Sequence, residues 1–419
     1  MWKKADVVPV PKTRPPTNIN NDLRPISLTP TISKVLESFV AEWMLEAIGD
    51  KFDEKQFGGL RGRSTVHALI DILHLWHQAL DKTHSVRVLF IDFTKAFDHV
   101  DHVIVLEKLA ELGVPEFICR WFHSFLSDRE QRVKIGKAFS DWLKLNGGMP
   151  QGSRLGPYVF LTLINDLKAC VSVHKFVDDT TLSETIVLKS DTSVMQHAAD
   201  EICGWSHYNK VNINTKKTKE MLLGPVGRDP PPLITINSSP VERVQSFKLL
   251  GVLLTSSLSW SEHITAVCTK ASKRLYFLKL LKRSGMTSDD LLYYYKTVIR
   301  PVTEYACAVW HSSITAEQRD QLEAIQLRAV RIIFGKELDF DILAIIHDIP
   351  LLADRRNRQM RQLFTGMHDS SHCLHRLLLE NSVQSAIHML RNHKNYRVPF
   401  ARTNRFKNSF LLYALRNFQ

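Results

Sequence analysis

Apolar residues in this chain follow two rhythms. Up to about residue 256 they come in short β-prone runs. Val86 and Val88-Leu-Phe-Ile91 form one such run, too short for a free helix and rich in strand formers, and it ends at Asp92. Phe176-Val177 and Thr180-Thr-Leu182 flank an acidic pair, which reads as a hairpin with Asp178 and Asp179 at its tip. Tyr158–Leu167 is apolar and long enough for one buried helix, with Pro157 suited to its first turn. The stretch before it, Gly147 to Pro157, is loop punctuation, and Gly152 lets a backbone approach a ligand closely. Residues 233–256 read as a strand followed by a hairpin. From about residue 260 the spacing turns helical. One helix is marked at both ends: Thr315 and Gln318 form a capping box, Leu322, Ile325, Ala329, Ile332 and Ile333 share a face, and Gly335 stops it.

The acidic pair is the costliest local feature. Adjacent carboxylates repel each other, and burial disfavours the charged form of both. Alone, Asp178–Asp179 reads either as a solvated turn or as a cation site, and Asp92 alone reads as a strand-end cap. Together they describe three carboxylates meeting at the ends of neighbouring strands. That set suits two Mg²⁺ ions, which take oxygen ligands and bracket the attacking and leaving oxygens of a phosphoryl transfer.

The ordered segments Ile91-Asp-Phe-Thr-Lys-Ala-Phe-Asp98, Gly148-Met-Pro-Gln-Gly-Ser153 and Phe176-Val-Asp-Asp179 resemble motifs A, B and C of a reverse transcriptase. More closely, the chain resembles the polymerase of non-LTR retrotransposons of the jockey type. Arg24-Pro-Ile-Ser-Leu28, Gln56–Thr65, Lys217-Thr-Lys219, Leu249-Leu-Gly-Val252, Glu304–Trp310 and Gln326–Ile333 match further motifs in order. The resemblance implies an α+β right-hand polymerase. Its parts would be fingers over 1–85, an antiparallel-sheet palm over 86–225 with a finger insertion near 110–146, and a strand and primer-grip hairpin over 226–258. A helical thumb over 259–335 and a basic helical region over 336–419 would follow.

Roles carry over position by position. Asp92, Asp178 and Asp179, with the backbone of Phe93, would hold two Mg²⁺ ions. Lys12 and Arg24 would grip the triphosphate, although Lys12 also reads as a solvated lysine in a Pro-rich loop. Phe97 would crowd the 2′-position of the incoming sugar, or else simply pack in the core. Gln151 and Gly152 would face nucleotide and template, and Lys217 the leaving pyrophosphate, with Lys210, Lys216 and Lys219 as rivals. Arg61 and Arg63 would meet template phosphates, and Leu250 and Gly251 the primer end. Val177 stands where the family more often has Ala, and Gly59 where it is often aromatic. The implied partners are an RNA template, a DNA primer or target site, and deoxynucleoside triphosphates. Cytoplasm and nucleus are the implied compartments. Trp2–Lys12 resembles an interior stretch of such a polymerase, so an endonuclease is expected to be missing upstream. The rival readings are a catalytically silent nucleic-acid-binding remnant and an RNA-dependent RNA polymerase; Phe97 argues against the latter.

Composition agrees with a polyanionic partner: the formal net charge is +12. Twelve Lys or Arg lie between Arg355 and Arg416 against Asp369 and Glu380, and Lys270, Lys273, Arg274, Lys279, Lys282 and Arg283 form another basic stretch. Six scattered cysteines include no Cys-x-x-Cys pair and point to a reducing compartment. His372, Cys373 and His375 cluster, but without a second ligand pair to complete a metal site. No apolar run is long enough to cross a bilayer.

Overall fold

A computed structural model describes residues 2–187, 193–225, 230–335, 340–379 and 396–419. Its centre is a five-stranded sheet in the order Glu242–Arg243, Lys219–Leu223, Ser85–Ile91, Asp179–Ile186, Ser172–Phe176. Neighbours run antiparallel except at the Glu242–Arg243 edge, which is parallel to Lys219–Leu223. Every residue of the central strand is buried, because both faces are covered. Successive side chains alternate between them. Val86, Val88 and Phe90 enter a core built with Trp76 of the helix Thr65–Asp81. Leu89 and Ile91 enter a second core with Phe160 of the helix Gly156–Ile164. Arg87 is the exception to an apolar strand, and it is paid for by Glu220 at 2.6 Å, which Arg243 also meets at 3.0 Å.

A second sheet joins distant segments. Lys4–Pro11 pairs antiparallel with Leu23–Leu28 and parallel with Glu130–Ile135. The expected single strand ahead of the hairpin is instead two short pieces, Thr235–Ile236 and Ser239–Pro240, before the Glu242–Arg243 edge. The cause is local: Asn237 and Ser238 adopt φ of 50° and 60°, a tight turn that folds the strand back on itself. The hairpin itself joins Ser246–Leu249 to Val252–Thr255 through Leu250 and Gly251, with φ of 45° and 86°.

The helical half follows. Ser261–Arg283, Ser288–Glu304 and Ala316–Phe334 enclose a third core. The last of these begins at Thr315 with its capping box to Gln318 formed, and stops at Gly335, φ 102°. Beyond it, Leu352–Gly366 and Phe410–Asn417 pack on each other and enter the first core, where Phe410–Asn417 meets Thr65–Asp81. The Asp81 carboxylate takes the amides of Arg402 and Thr403 and the Thr403 hydroxyl, at 2.7–3.0 Å.

The basic stretch from Arg355 onward is therefore not one solvated face. Arg356 is fully buried, with Nε donating to His311 Nδ1 at 3.2 Å and Nη2 lying 3.6 Å from Glu323 Oε1. Arg355 pairs with Glu304, and Arg376 with Asp71 at 2.7 Å. Burial favours arginines here because each meets a carboxylate or ring nitrogen inside the core wall. Glu380, Arg391 and Lys394 lie outside the described residues. Among the described residues, no helix is long and apolar enough to cross a membrane.

Candidate active site

Strand register brings the three acids to one end of the central sheet. Ile91 pairs with Thr180 across one ladder, and Phe176 with Asp179 across the next. Asp92 and Asp179 are each the next residue beyond the Ile91–Thr180 pair, and Val177–Asp178 is the two-residue turn between the hairpin strands. The acids act on one another. Burial, then the charge of Asp178, then that of Asp92 push the Asp179 carboxyl up to about 6. Asp178 is also raised, by burial and by Asp92. Asp92 is raised by burial against the opposing pull of Lys217, Asn214 and Lys12. Its Oδ2 is buried without a hydrogen-bond partner, and Lys217 Nζ stands 3.7 Å away. Three carboxyls that all hold protons too tightly, one with an unsatisfied oxygen, fit a divalent cation.

Each acid is held from behind. The Asp92 amide donates to Thr218 Oγ1 at 3.3 Å, and its carbonyl accepts from Asn214 at 2.7 Å. The bridge between Phe93 and Ile213 runs through the peptide groups of Asp92 and Thr94, which leaves those of Phe93 out of it. Val177 sits in the left-handed region at φ 60°, a strained place for a β-branched residue. The buried Gln56 side chain pins it: Oε1 accepts from Val177 at 3.0 Å and from Gly58 at 2.9 Å. Gly58 is obligatory beside this turn, since a Cβ there would lie 2.5 Å from the Val177 nitrogen. Sequence reasoning took Arg61 and Arg63 from this segment and missed Gln56. A single buried amide carries no signal in sequence; its use appears only when the segment lies along Lys175.

The remaining assigned residues fall into three groups. Lys217 and Lys12 act on Asp92, and Phe97 follows it five residues later in the chain. Of its rivals, Lys210 pairs with Asp101 and Lys219 with Glu242, each at 2.7 Å, while Lys217 stands beside Asp92. The Lys12 charge acts on Asp92. Phe97 is half-buried and stacks on Phe160 with centroids 5.1 Å apart. Arg24 is exposed on its strand opposite Val10. The second group is the hairpin turn. Leu250 shares a small cavity with Asp179, and its carbonyl accepts from the Tyr305 hydroxyl at 2.8 Å. A Cβ on Gly251 would lie 2.9 Å from the Tyr305 ring.

The third group makes contacts within the chain. Gly152, at φ 117°, makes its close approach to the chain itself, since a Cβ would meet the Ser27 carbonyl at 2.9 Å. Gln151 donates to Asp98 Oδ1 at 2.9 Å, and its carbonyl accepts from Ser27 at 2.8 Å. Arg63 is turned inward: its Nη1 donates to the carbonyls of Asp53, Glu54 and Gln56 at 2.6–3.0 Å. It braces the loop that carries Gln56, and the exposed Arg61 is the better placed of the two for a phosphate.

Fold and site together have the arrangement of a right-hand polymerase, a central antiparallel sheet with acids at one end. Residues 10–254 match the family model described as reverse transcriptase (RNA-dependent DNA polymerase), and the chain belongs to that family. Within it, the relatives are polymerases of non-LTR mobile elements. The probable RNA-directed DNA polymerase from transposon X-element of Drosophila melanogaster is 29% identical over 350 residues, 80% of this chain and 38% of that protein. The RNA-directed DNA polymerase from mobile element jockey of Drosophila funebris is 27% identical over 328 residues, 74% of this chain and 35% of that protein. The chain thus spans little more than a third of the length of these relatives. Among solved structures, a telomerase from Candida tropicalis in complex with a TWJ fragment of telomeric RNA aligns over 90% of this chain and 59% of its own. That alignment has 12% identity and a TM-score of 0.44. Polymerases of this family use divalent metal ions.

Two measurements check the site's physics. Gln56→Ala strands two buried amides and is expected to cost about 1–3 kcal/mol in urea unfolding, with Gln56→Glu losing less because it keeps the acceptor. An Ala variant as stable as the parent would mean the turn holds itself. Asp179 binds its proton more tightly folded than unfolded. The folded chain therefore gains from protonation as pH falls between about 6 and 3.8, and bears the full repulsion above that window. In buffer free of divalent ions, Asp179→Asn should melt above the parent near pH ~7.5, with the gap shrinking below about pH 6 and closing near pH ~3.8. A gap independent of pH contradicts the shift.

Proposed function

We propose that the chain is an RNA-directed DNA polymerase that adds deoxynucleotides to a primer 3′-hydroxyl along an RNA template. The observation that carries this reading is the meeting of Asp92 with Asp178 and Asp179 at the end of the sheet, with the Asp92 Oδ2 unsatisfied. Those carboxylates, with the backbone of Phe93, would hold two Mg²⁺ ions. When bound, the metal supplies the charge that makes a 3′-hydroxyl a better nucleophile and pyrophosphate a better leaving group.

The chain's own residues do the rest. Lys217 places an ammonium beside Asp92, where it balances leaving-group charge and is positioned to give up a proton. Lys12 and Arg24 add cationic contacts for the triphosphate. The Phe97 ring, fixed against Phe160, narrows the space for a 2′-hydroxyl and so selects the deoxy sugar. Leu250 and Gly251 hold the primer end, with Tyr305 beneath them. The Ser261–Arg283 helix exposes Tyr276 and Phe277 amid its basic residues, a surface that suits the duplex backbone.

Primer extension on an RNA template tests this. Asp178→Asn is expected to lower the rate by roughly 10³-fold or more, the scale of groups that manage phosphoryl charge, while folding and primer–template binding persist. Synthesis at the parental rate would sink the metal assignment. Phe97→Ala is expected to admit ribonucleotides; unchanged sugar selection would make the ring a packing residue only.

A further inference from the structure

A second cluster of ligating side chains lies away from the acids. His67 is on the helix Thr65–Asp81, and His372 and Cys373 follow the helix Leu352–Gly366. The Cys373 Sγ is 3.4 Å from His67 Nδ1, and the His67 and His372 rings meet edge-on with centroids 4.8 Å apart. One ligand atom from each of the three lies within 4.8 Å of the other two. Tetrahedral zinc, with bonds of about 2.0–2.3 Å, sets its ligand atoms roughly 3.3–3.8 Å apart. Small side-chain rotations close the difference.

We propose that His67, His372 and Cys373 bind a transition-metal ion, zinc by the chemistry of the set. One thiolate and two imidazoles favour zinc over magnesium, which takes oxygen donors. The surroundings fit. The Leu374 amide donates to His372 Nδ1 at 3.1 Å, which holds the ring beside that of His67; ligation through Nε2 requires this bond to give way so that Nδ1 carries the proton. The Gly62 backbone hydrogen-bonds the His67 ring and helps to hold it. His375 stays out of the site, because its Nδ1 contacts the Met367 carbonyl at 2.8 Å. The fourth position opens onto a cavity of about 660 Å³ that Arg61, Glu46 and Asp369 also line. The ion would tie an N-terminal helix to a segment some 300 residues later, a distance along the chain seen in the His67–Cys373 contact, |i−j| = 306.

Cobalt substitution in the full chain reads the site without any polymerase assay. Metal-stripped protein titrated with Co²⁺ should show a thiolate-to-cobalt charge-transfer band that saturates at one equivalent and disappears on adding Zn²⁺. Magnesium-type binding at the palm carboxylates produces no such band. Cys373→Ser should abolish it and Cys170→Ser should leave it intact. Cys170 serves as the control because it lies in an exposed cluster with His197 and Glu201. His67→Ala should weaken Co²⁺ binding by more than about 10-fold, the least that loss of an outer-shell partner costs. Circular dichroism checks that each variant is folded, and His67→Ala decides the question if Cys373→Ser is not. A folded parent without the band, a band that survives Cys373→Ser, or His67→Ala binding Co²⁺ as the parent does would each overturn the assignment.

Discussion

Mutual repulsion among Asp92, Asp178 and Asp179 is the constraint around which this fold is arranged. Left to themselves, three carboxylates at one sheet end would separate or take up protons. The antiparallel register denies them the first escape, since Asp92 and Asp179 continue directly from the paired Ile91 and Thr180. The turn between the hairpin strands is equally fixed, with Val177 in a backbone region that it rarely occupies and Gln56 holding it there. What remains is an electrostatic deficit beside Lys217, and such a deficit is what a cation-dependent site stores before its ions arrive.

Rigidity of this kind needs support on both faces of the sheet. The central strand supplies it by alternating between two cores, one shared with Trp76 and the other with Phe160. Phe160 has a further task, because it is also the platform for Phe97. Gly152 and Gln151 then lock the loop ahead of that helix against Ser27 of the second sheet. The loop ahead of Gly156–Ile164 is thus set by backbone contacts between segments far apart in sequence.

Local features were legible in the sequence. The buried strand ending at Asp92, the acidic hairpin, the capping box of Thr315 and Gln318 and the stop at Gly335 all arise from periodicity and short-range hydrogen bonding. Motif order pointed to the family for the same reason: each motif is a local solution to a local chemical need. What escaped was tertiary. The parallel pairing of Lys4–Pro11 with Glu130–Ile135 has no sequence signature, and neither has a glutamine whose worth lies in one turn of another segment. Arg63 and Arg356 read as surface cations because arginine usually is one; only carbonyls and carboxylates brought from elsewhere turn them inward. His67 looked unrelated to Cys373 until the fold set them in contact.

The last helices of the chain share a core with the central strand: Leu411 and Leu415 belong to the same cluster as Val86 and Phe90. Regions welded in this way open together or not at all, so slow amide exchange in the central strand and in Phe410–Asn417 is governed by one cooperative event. The C-terminal helix is thereby a supporting wall of the central sheet.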